Sequence, residues 1–286
     1  VYELGSTFKI FAAAQGIEER LVSRSTWIDT KGPLTWGRHK IRDLRHHGDA
    51  MTVEDIIVKS SNIGTARIAM MIGPEKQQDF LNDLGLFKAS PVELIEAGGA
   101  RPLLPKKWSE IHTMTVSYGH GMSASPLHLA TAYASLLNGG LQVEPTILKR
   151  ETYETGPRIL SADTSRQARE MLRKVVRDGT ASLGEVAGYR VGGKTGTADK
   201  PRPQGGYYDD RVIATFASVF PADDPAYVLV VTLDEPVETS GKKPRRTAGW
   251  TAVPVAAEVI RRAAPLLGLA PAVESGTTEG VTLASN

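Results

Sequence analysis

The stretch GYRVGGKTGTADK, residues 188–200, decides between two fold classes. Its residues from Gly188 to Thr195 fit the pattern G-x-x-x-x-G-K-T, in which a glycine-rich loop binds phosphate groups. Residues 228–235, VLVVTLDE, resemble the apolar strand whose final acidic residue often holds magnesium beside such a loop. These two stretches alone would favour a nucleotide-hydrolysing α/β protein.

The residues after Lys194 argue against a phosphate-binding loop. Such a loop opens directly into a helix, whose first amide groups bind the phosphate. Here the chain continues as GTADKPRPQGG, and two prolines and three glycines prevent a helix from starting there. The alternation of Tyr189, Val191 and Gly193 instead places the lysine inside a strand. VLVVTLDE fits equally well a core strand that ends at Asp234 and Glu235 without binding magnesium.

The composition indicates an ordinary globular protein of one to two domains. The chain has 286 residues, of which 41% are hydrophobic and 23% charged. A net charge of +2 is too small to indicate nucleic-acid binding, and no run of 18 apolar residues predicts a membrane span. Cysteine is absent, which excludes disulfides, Cys-ligated zinc and thiol catalysis. Because the sequence starts at Val1 without a signal peptide, we expect a fragment of a longer protein.

Helical periodicity dominates the first two thirds of the chain. Gly16 is predicted to end the first helix, and Thr52 and Asp55 resemble a capping box that starts the second. Residues 24–50 are predicted to form loops or a short hairpin, and residues 90–112 an extended or loop segment. The predicted helices cover residues 6–15, 52–60, 63–73, 74–85, 126–137 and about 162–178.

The last third changes to a strand period. YRVGGKTGTA, RVIATFASVF and YVLVVTLDE predict three strands, and PADDP predicts a hairpin connection between the last two. A polar loop from Glu235 to Trp250 and an amphipathic helix follow, and residues 271–286 are predicted to be a flexible tail. Helices followed by a largely antiparallel sheet and a final helix indicate an α+β fold.

Ser6 and Lys9 form the pattern S-x-x-K on the first predicted helix. Their spacing of three residues places both side chains on one face, where a lysine of lowered pKa could activate the serine as a nucleophile. The pattern alone is weak, because Ser240 and Lys243 repeat it inside a loop rich in Gly and Pro. By itself, Ser6 would more often be a helix-capping serine.

Two further groups of residues join this pair. Ser60 and Asn62, on either side of Ser61, could relay a proton and hold a carbonyl, although turn or capping residues are the commoner explanation. The segment Lys194–Thr197 offers a lysine and two hydroxyls to a carboxylate, and Gly196 could let a substrate backbone approach the strand. Each group alone is common, but the three together, in the order S-x-x-K, S-x-N, K-T-G, form a specific sequence signature.

This order resembles the transpeptidase domain of penicillin-binding proteins. Other stretches are also similar to the monofunctional class B enzymes, and most closely to the septal, cell-division type of Gram-negative bacteria. They are YELGSTFKIFAAA, IIVKSSNIGTARIA, SYGHGMSASPLHLATAYASLLNGG, FPADDPAYVLVVTLDEP and GWTAVPVAAEVI. The resemblance implies an antiparallel sheet flanked by helices plus an all-helical lobe.

The resemblance also implies a mechanism. Ser6, activated by Lys9, would attack the penultimate D-Ala carbonyl of a peptidoglycan stem peptide and release the last D-Ala. Ser60 would relay the proton and Asn62 would position the substrate amide. Lys194, Thr195 and Thr197 would bind the terminal carboxylate, with Gly196 between them, and the N–H groups of Ser6 and Thr197 would form the oxyanion hole. A second stem peptide would resolve the acyl-enzyme, β-lactams would acylate Ser6, and no metal or cofactor is implied.

The sequence departs from the expected pattern in two respects. Ser61 stands where the S-D-N triple has Asp, at a position that the family leaves open. Only five residues precede Ser6, so the first segments of a five-stranded sheet are expected to be missing. Residues 1–270 are predicted to be the transpeptidase domain, with a helical lobe at about 17–160 and a sheet lobe at about 180–265. The resemblance places the full protein at the periplasmic face of the inner membrane, anchored through a segment outside this chain.

The residues fit two other functions as well. A D,D-carboxypeptidase or β-lactamase-like hydrolase differs only in letting water resolve the acyl-enzyme, and a non-catalytic partner of division proteins would use the fold for binding. The six histidines have no spacing typical of a metal site, although His120 belongs to the stretch YGHGMS that resembles a cleft-lining segment of the family. KKPRR, residues 242–246, is predicted to be a solvated loop, with contact to an anionic substrate or membrane surface as the alternative.

Overall fold

A computed structural model describes residues 1–152, 154 and 156–272. Its described α-helices are α1 (Lys9–Glu18), α2 (Val53–Lys59), α3 (Asn62–Ile72), α4 (Pro74–Asp83), α5 (Glu110–Ser117), α6 (Pro126–Leu137), α7 (Ala162–Asp178) and α8 (Ala252–Leu266). The strands are β1 (Trp27–Asp29), β2 (Leu34–Trp36), β3 (His39–Ile41), β4 (Ala50–Thr52), β5 (Gly192–Pro201), β6 (Tyr207–Phe220) and β7 (Tyr227–Asp234). Short 3₁₀ helices cover Gly5–Phe8, Ile95–Gly99 and Ser182–Gly184.

The main sheet is an antiparallel meander in the order β5–β6–β7. Its register pairs Lys194 with Ala217, and Phe216 with Val231 on the next strand. Residues 213–220 of β6 are all buried, so both faces of the sheet are covered. Two glycines of β5 make this packing possible. A side chain on Gly192 would meet α7, and one on Gly193 would meet the ring of Phe216, which packs toward α8.

Helix α1 lies at the centre of the helical part, in contact with α2, α3, α4 and α7. Eight of its ten residues are buried, including Lys9. Phe11 makes edge-to-face contacts with Phe8 and Tyr133, at ring distances of 5.4 and 5.5 Å. The Tyr133 hydroxyl donates to Thr7 O at 2.7 Å. Aromatic packing therefore fixes the turn before α1 to helix α6.

Several predictions from the sequence are confirmed. Lys194 lies within β5, a strand that continues to Pro201 without opening into a helix, so the chain has no phosphate-binding loop there. The three predicted strands form the antiparallel sheet, and Thr52 caps α2 by accepting from the Asp55 N–H. The β2–β3 hairpin falls within residues 24–50, where a short hairpin was one of the two expectations.

Two local predictions are wrong. Gly16 does not end the first helix, because α1 continues to Glu18 and a side chain on Gly16 would lie 3.0 Å from Ile68 Cγ2. The glycine therefore serves close packing inside the helix. Residues 110–112 are helical, since Ser109 and His112 cap the start of α5. His is an unusual partner in a capping box, which hid this helix in the sequence.

The main sheet has three strands among the described residues. Strand β7 is an edge strand, and its apolar residues from Val228 to Leu233 are only half-buried. In the part of the chain described here, no helix is both long and apolar enough to cross a membrane. Nearly all of the predicted tail, residues 273–286, lies outside the described residues.

We predict that Phe11→Ala destabilises the protein by about 3–5 kcal/mol, because it removes two aromatic contacts and leaves a cavity. Chemical denaturation with urea measures the change in the midpoint at constant slope. Leu44→Ala is the control, since Leu44 is 91% exposed. A loss below about 1 kcal/mol for Phe11→Ala would contradict the central position of α1.

Candidate active site

Ser6 stands on the 3₁₀ turn that precedes α1 and is partly exposed to solvent. Lys9 is the first residue of α1, one turn further on, and is completely buried. Gly5 initiates the turn with φ +57°, a conformation that glycine adopts without strain. The sequence S-x-x-K thus places an accessible hydroxyl and a desolvated amine one turn apart, and the hydrogen bonds of Lys9 Nζ go to Ser60.

Close backbone contacts hold this turn against two other segments. A side chain on Gly196 of β5 would lie 2.2 Å from Leu4 O, and one on Gly119 would lie 1.9 Å from Gly5 O. The Gly5 N–H also donates to Gly119 O at 3.2 Å. In the direction where a side chain would point, the space beside Gly196 is therefore filled by this chain's own backbone.

Ser60 contacts both lysines of the predicted site. Lys9 Nζ donates to Ser60 O at 2.5 Å and lies 3.1 Å from Ser60 Oγ. Lys194 Nζ reaches the same Oγ at 2.9 Å and Thr195 O at 3.2 Å. One hydroxyl thus bridges two amines that come from α1 and β5, so a proton could pass among the three groups.

Burial changes the ionisation of these lysines. Desolvation lowers the pKa of Lys9 well below its usual value of 10.5, and the charge of Lys194 lowers it further, while the Asp43 carboxylate opposes the shift. Desolvation also lowers the pKa of Lys194, to about 7. A buried lysine with a lowered pKa can be neutral near neutral pH and can then accept a proton.

The segment Ser60–Asn62 forms the junction between α2 and α3. Ser60 ends α2 in the left-handed conformation, with φ +65°, and Ser61 caps α3 by accepting from the Gly64 N–H. Asn62 is partly exposed, and its side-chain amide donates to Arg42 O at 2.9 Å. The turn therefore directs Ser60 toward the lysines and keeps Asn62 at the surface of the site.

The two threonines of β5 lie on the strand face opposite Lys194 and Gly196, as the alternation of a strand requires. Thr195 Oγ1 lies 2.7 Å from Thr180 Oγ1, and Thr197 Oγ1 accepts from the Ala248 N–H at 3.0 Å. Thr197 is exposed, and its hydroxyl can still donate. Hydroxyl donors of this kind suit an anionic group.

A second cluster forms around Glu3, three residues before Ser6. Glu3 accepts from the Gly121 N–H at 2.8 Å and from the Tyr207 hydroxyl at 3.2 Å, and it pairs with His120 Nδ1 at 3.0 Å. Burial alone would raise the pKa of Glu3, but these partners lower it. The hydrogen bond to Glu3 raises the pKa of His120 against the effect of burial, and Asp199 adds to the increase. The cluster ties the start of the chain to the α5–α6 loop and β6.

The structure brings together most of the predicted site residues. Lys9, Ser60 and Lys194 are in direct contact, and Ser6 lies on the turn that packs against Gly196 and Thr197. The competing Ser240 and Lys243 lie in an exposed loop. The KKPRR segment is partly ordered by ion pairing and stacking, since Arg245 pairs with Glu238 and stacks on Trp250.

Sequence reasoning missed several residues that shape the site. They are Gly5, Asp43, Gly119, Thr180 and Ala248. Gly119 had a signal in the run YGHG, since repeated glycines indicate a turn or a close backbone approach. Asp43 and Thr180 had none, because a single acid or threonine in a polar stretch is common.

Comparison with known proteins assigns the family. The model of the penicillin-binding protein transpeptidase domain matches residues 1–259, and the chain belongs to this family. "Probable peptidoglycan D,D-transpeptidase FtsI" of Caulobacter vibrioides is 38% identical over 100% of this chain and 49% of its own length. "Probable peptidoglycan D,D-transpeptidase PenA" of Neisseria flavescens is 32% identical over 99% of this chain and 69% of its own length.

Solved structures agree with the assignment and with the fold. The transpeptidase domain of Burkholderia pseudomallei penicillin-binding protein 3 superposes with a TM-score of 0.85 at 34% identity, covering 95% of this chain and 81% of that one. Penicillin-binding protein 3 of Mycobacterium tuberculosis in complex with ampicillin gives 0.84 at 31% identity, covering 96% and 64%. The fold is thus the predicted α+β transpeptidase fold. The chain spans about two fifths to a half of the first curated relatives that it matches.

We predict that Gly119→Ala disrupts the turn that carries Ser6, because the new methyl would overlap Gly5 O. Gly85→Ala is a matched control, since Gly85 has the same φ of +79° but nothing within 4 Å of the added carbon. The control should lose about 1–2 kcal/mol from backbone strain, and Gly119→Ala about 1–3 kcal/mol more. Equal losses in urea unfolding would contradict the close contact.

We predict a pH-dependent contribution of the Glu3–His120 pair to stability. Because the pKa of Glu3 is lowered below 4.5, its contribution is lost as the pH falls through that lowered pKa. Because the pKa of His120 is raised above 6.5, its contribution is lost as the pH rises through that raised pKa. The stability difference between wild type and His120→Ala should therefore be largest between about pH 4.5 and 6.5, with a pH-dependent part of at most about 1 kcal/mol.

Urea unfolding at a series of pH values measures this difference. His39→Ala, which removes an exposed histidine from β3, is the control. A difference between wild type and His120→Ala that stays constant across the series would rule out the ion pair and leave only lost packing.

Proposed function

We propose that this chain is the catalytic part of a peptidoglycan D,D-transpeptidase that works through an acyl-enzyme on Ser6. The observation that carries the proposal is the contact of Ser60 Oγ with both buried lysines. Such an arrangement supports proton transfer to and from a nearby nucleophile. The names of the relatives from Caulobacter and Neisseria point to the same reaction.

Lys9 is the proposed general base for acylation. Ser6 Oγ forms a bond to the carbonyl carbon of the penultimate D-Ala, and its proton passes to neutral Lys9 Nζ. Burial and the charge of Lys194 support a neutral Lys9, because both disfavour its protonated form. The hydrogen bond to Ser60 O fixes the amine in place.

Ser60 and Lys194 are the proposed route of the proton to the leaving group. When the tetrahedral intermediate collapses, the C–N bond breaks and the amine of the last D-Ala needs a proton. Ser60 Oγ can give its own proton and regain one from Lys9 or Lys194, both within 3.1 Å. Asn62, at the exposed side of the same junction, is placed to hold the substrate amide.

Thr195 and Thr197 are the proposed binding groups for the terminal carboxylate. Thr197 keeps a free donor beside its contact with Ala248, and Thr195 shares a hydrogen bond with Thr180. The ammonium form of Lys194 donates two of its three N–H bonds to Ser60 Oγ and Thr195 O, and its charge supports the anion. In this arrangement Gly196 contributes by its lack of a side chain rather than by contact.

The oxyanion is proposed to bind the backbone N–H groups of Ser6 and Thr197. A side chain on Gly5 would lie 3.3 Å from Thr197 N, so the two backbones run side by side next to the nucleophile. Preorganised amides of this kind stabilise the charge that develops in the transition state. Close packing at Gly119 and Gly196 supports their fixed positions.

The full-length protein is proposed to act in septal cell-wall synthesis. We propose that it is anchored at the periplasmic face of the inner membrane through a segment outside this chain and that it binds division proteins. The proposed substrate is the stem peptide, and β-lactams are proposed inhibitors, as aztreonam and ampicillin are ligands of the Mycobacterium tuberculosis protein. The division into a helical lobe at about 17–160 and a sheet lobe at about 180–265 is part of this proposal.

We predict that a fluorescent penicillin labels this chain covalently at Ser6. Labelling should vanish in Ser6→Ala, since the nucleophile is lost, and fall by at least about 100-fold in rate in Lys9→Ala, since the base is lost. Ser240→Ala is the matched control, because it changes the serine of the second S-x-x-K pattern and should label like wild type. Gel fluorescence and intact-mass measurement detect the adduct.

The same experiment separates the alternatives. A stable adduct supports the transpeptidase, whereas rapid release of hydrolysed penicillin would identify a β-lactamase-like hydrolase. Folded protein that acquires no label would contradict a catalytically competent chain and favour a binding partner. Circular dichroism before labelling establishes that each variant is folded.

A further inference from the structure

The S-S-N segment is held by a carboxylate that belongs to none of the three motifs. Asp43 Oδ2 accepts from Ser61 Oγ at 2.7 Å, and Oδ1 accepts from the Asn62 N–H at 2.5 Å and the Ile63 N–H at 3.0 Å. The neighbouring Arg42 O accepts from the Asn62 side chain. Arg42 and Asp43, which follow β3, thus hydrogen-bond to both residues after Ser60 in the S-S-N segment.

These contacts satisfy groups that would otherwise have no partner. The first N–H groups of a helix lack acceptors within the helix, and Asp43 serves two of them at the start of α3. Ser61 is fully buried, and its hydroxyl donates to Asp43 while accepting from the Gly64 N–H. Loss of this carboxylate would leave the junction free to move, and Ser60 with it.

We propose that Asp43 is a positioning residue for acylation, which sets the place of Ser60 and Asn62 relative to Lys9 and Lys194. The inference rests on the proposed function and adds a residue to it. The carboxylate that the pattern S-D-N carries at its middle position is supplied here from a separate loop, through the hydroxyl of Ser61.

The charge of Asp43 gives the proposal a second readout. The groups that face Lys9 are Ser60 at the α2–α3 junction, Lys194 on β5 and Asp43 after β3. Lys194 disfavours the protonated form of Lys9 and Asp43 favours it. Acylation needs neutral Lys9, so the acylation rate falls at low pH, where Lys9 becomes protonated. Removing the negative charge of Asp43 lowers the pKa of Lys9 further, so this acid limb of the pH–rate profile should move to lower pH.

The test compares Asp43→Ala and Asp43→Asn in the whole chain, with Asp49→Asn as the control. Asp49 is an exposed acid six residues further along the same stretch. Asp43→Ala removes both geometry and charge, and we expect its acylation by a fluorescent penicillin to slow by about 10- to 100-fold. Asp43→Asn keeps one oxygen that can accept from the two N–H groups but loses the acceptor for the Ser61 hydroxyl, so its maximal rate should fall less than that of Asp43→Ala, with the acid limb at lower pH.

The outcomes distinguish this proposal from the function on which it rests. Wild type that is not labelled overturns both. Wild type that is labelled at Ser6, beside a folded Asp43→Ala of equal rate, overturns the positioning role alone. If Asp43→Ala does not fold, Asp43→Asn decides, and a rate and pH profile identical to those of wild type and Asp49→Asn would overturn the proposal.

Discussion

The site depends on two buried lysines that approach one hydroxyl. Each ammonium group loses most of its hydration on burial, and two positive charges near Ser60 Oγ repel each other. The two lysines can stay buried together only if nearby oxygen atoms accept their N–H groups and nearby negative charge offsets their positive charge. Ser60 O, Thr195 O and the carboxylate of Asp43 supply the compensating acceptors and negative charge. Much of the surrounding fold serves to keep these groups together.

Glycines, which have no side chain, allow the backbones of three segments of the site to touch: the Ser6 turn, β5 and the α5–α6 loop. The turn that carries Ser6 lies against β5 at Gly196 and against the α5–α6 loop at Gly119. A methyl group at either glycine would overlap a carbonyl oxygen of Leu4 or Gly5. Helix α1, fixed by Phe11 and Tyr133, then places Lys9 beneath the turn. Close backbone packing around helix α1 thus fixes the positions of the site residues.

The sequence predicts those parts of this arrangement that are local. The spacing of Ser6 and Lys9 requires only one helical turn, and the prolines after Lys194 exclude a helix, so both could be read directly. Contact between Ser60 and Lys194 joins residues 134 positions apart, and only the combination of motifs indicated it. Asp43 could not be found in this way, because its role depends on where the loop after β3 folds back. Gly16 was misread because its close neighbour Ile68 is also distant in the sequence.

Strand β7 has a consequence for how the chain behaves in solution. Its outer edge presents unpaired backbone groups among the described residues, next to half-buried valines and leucines. An edge of this kind is a template for pairing with another extended segment, and natural sheets usually cover or charge it. At the end of the strand, Asp234 pairs with Lys200. Preparations of this chain at high concentration should therefore tend to self-associate along β7. A segment that covers this edge would also reduce aggregation.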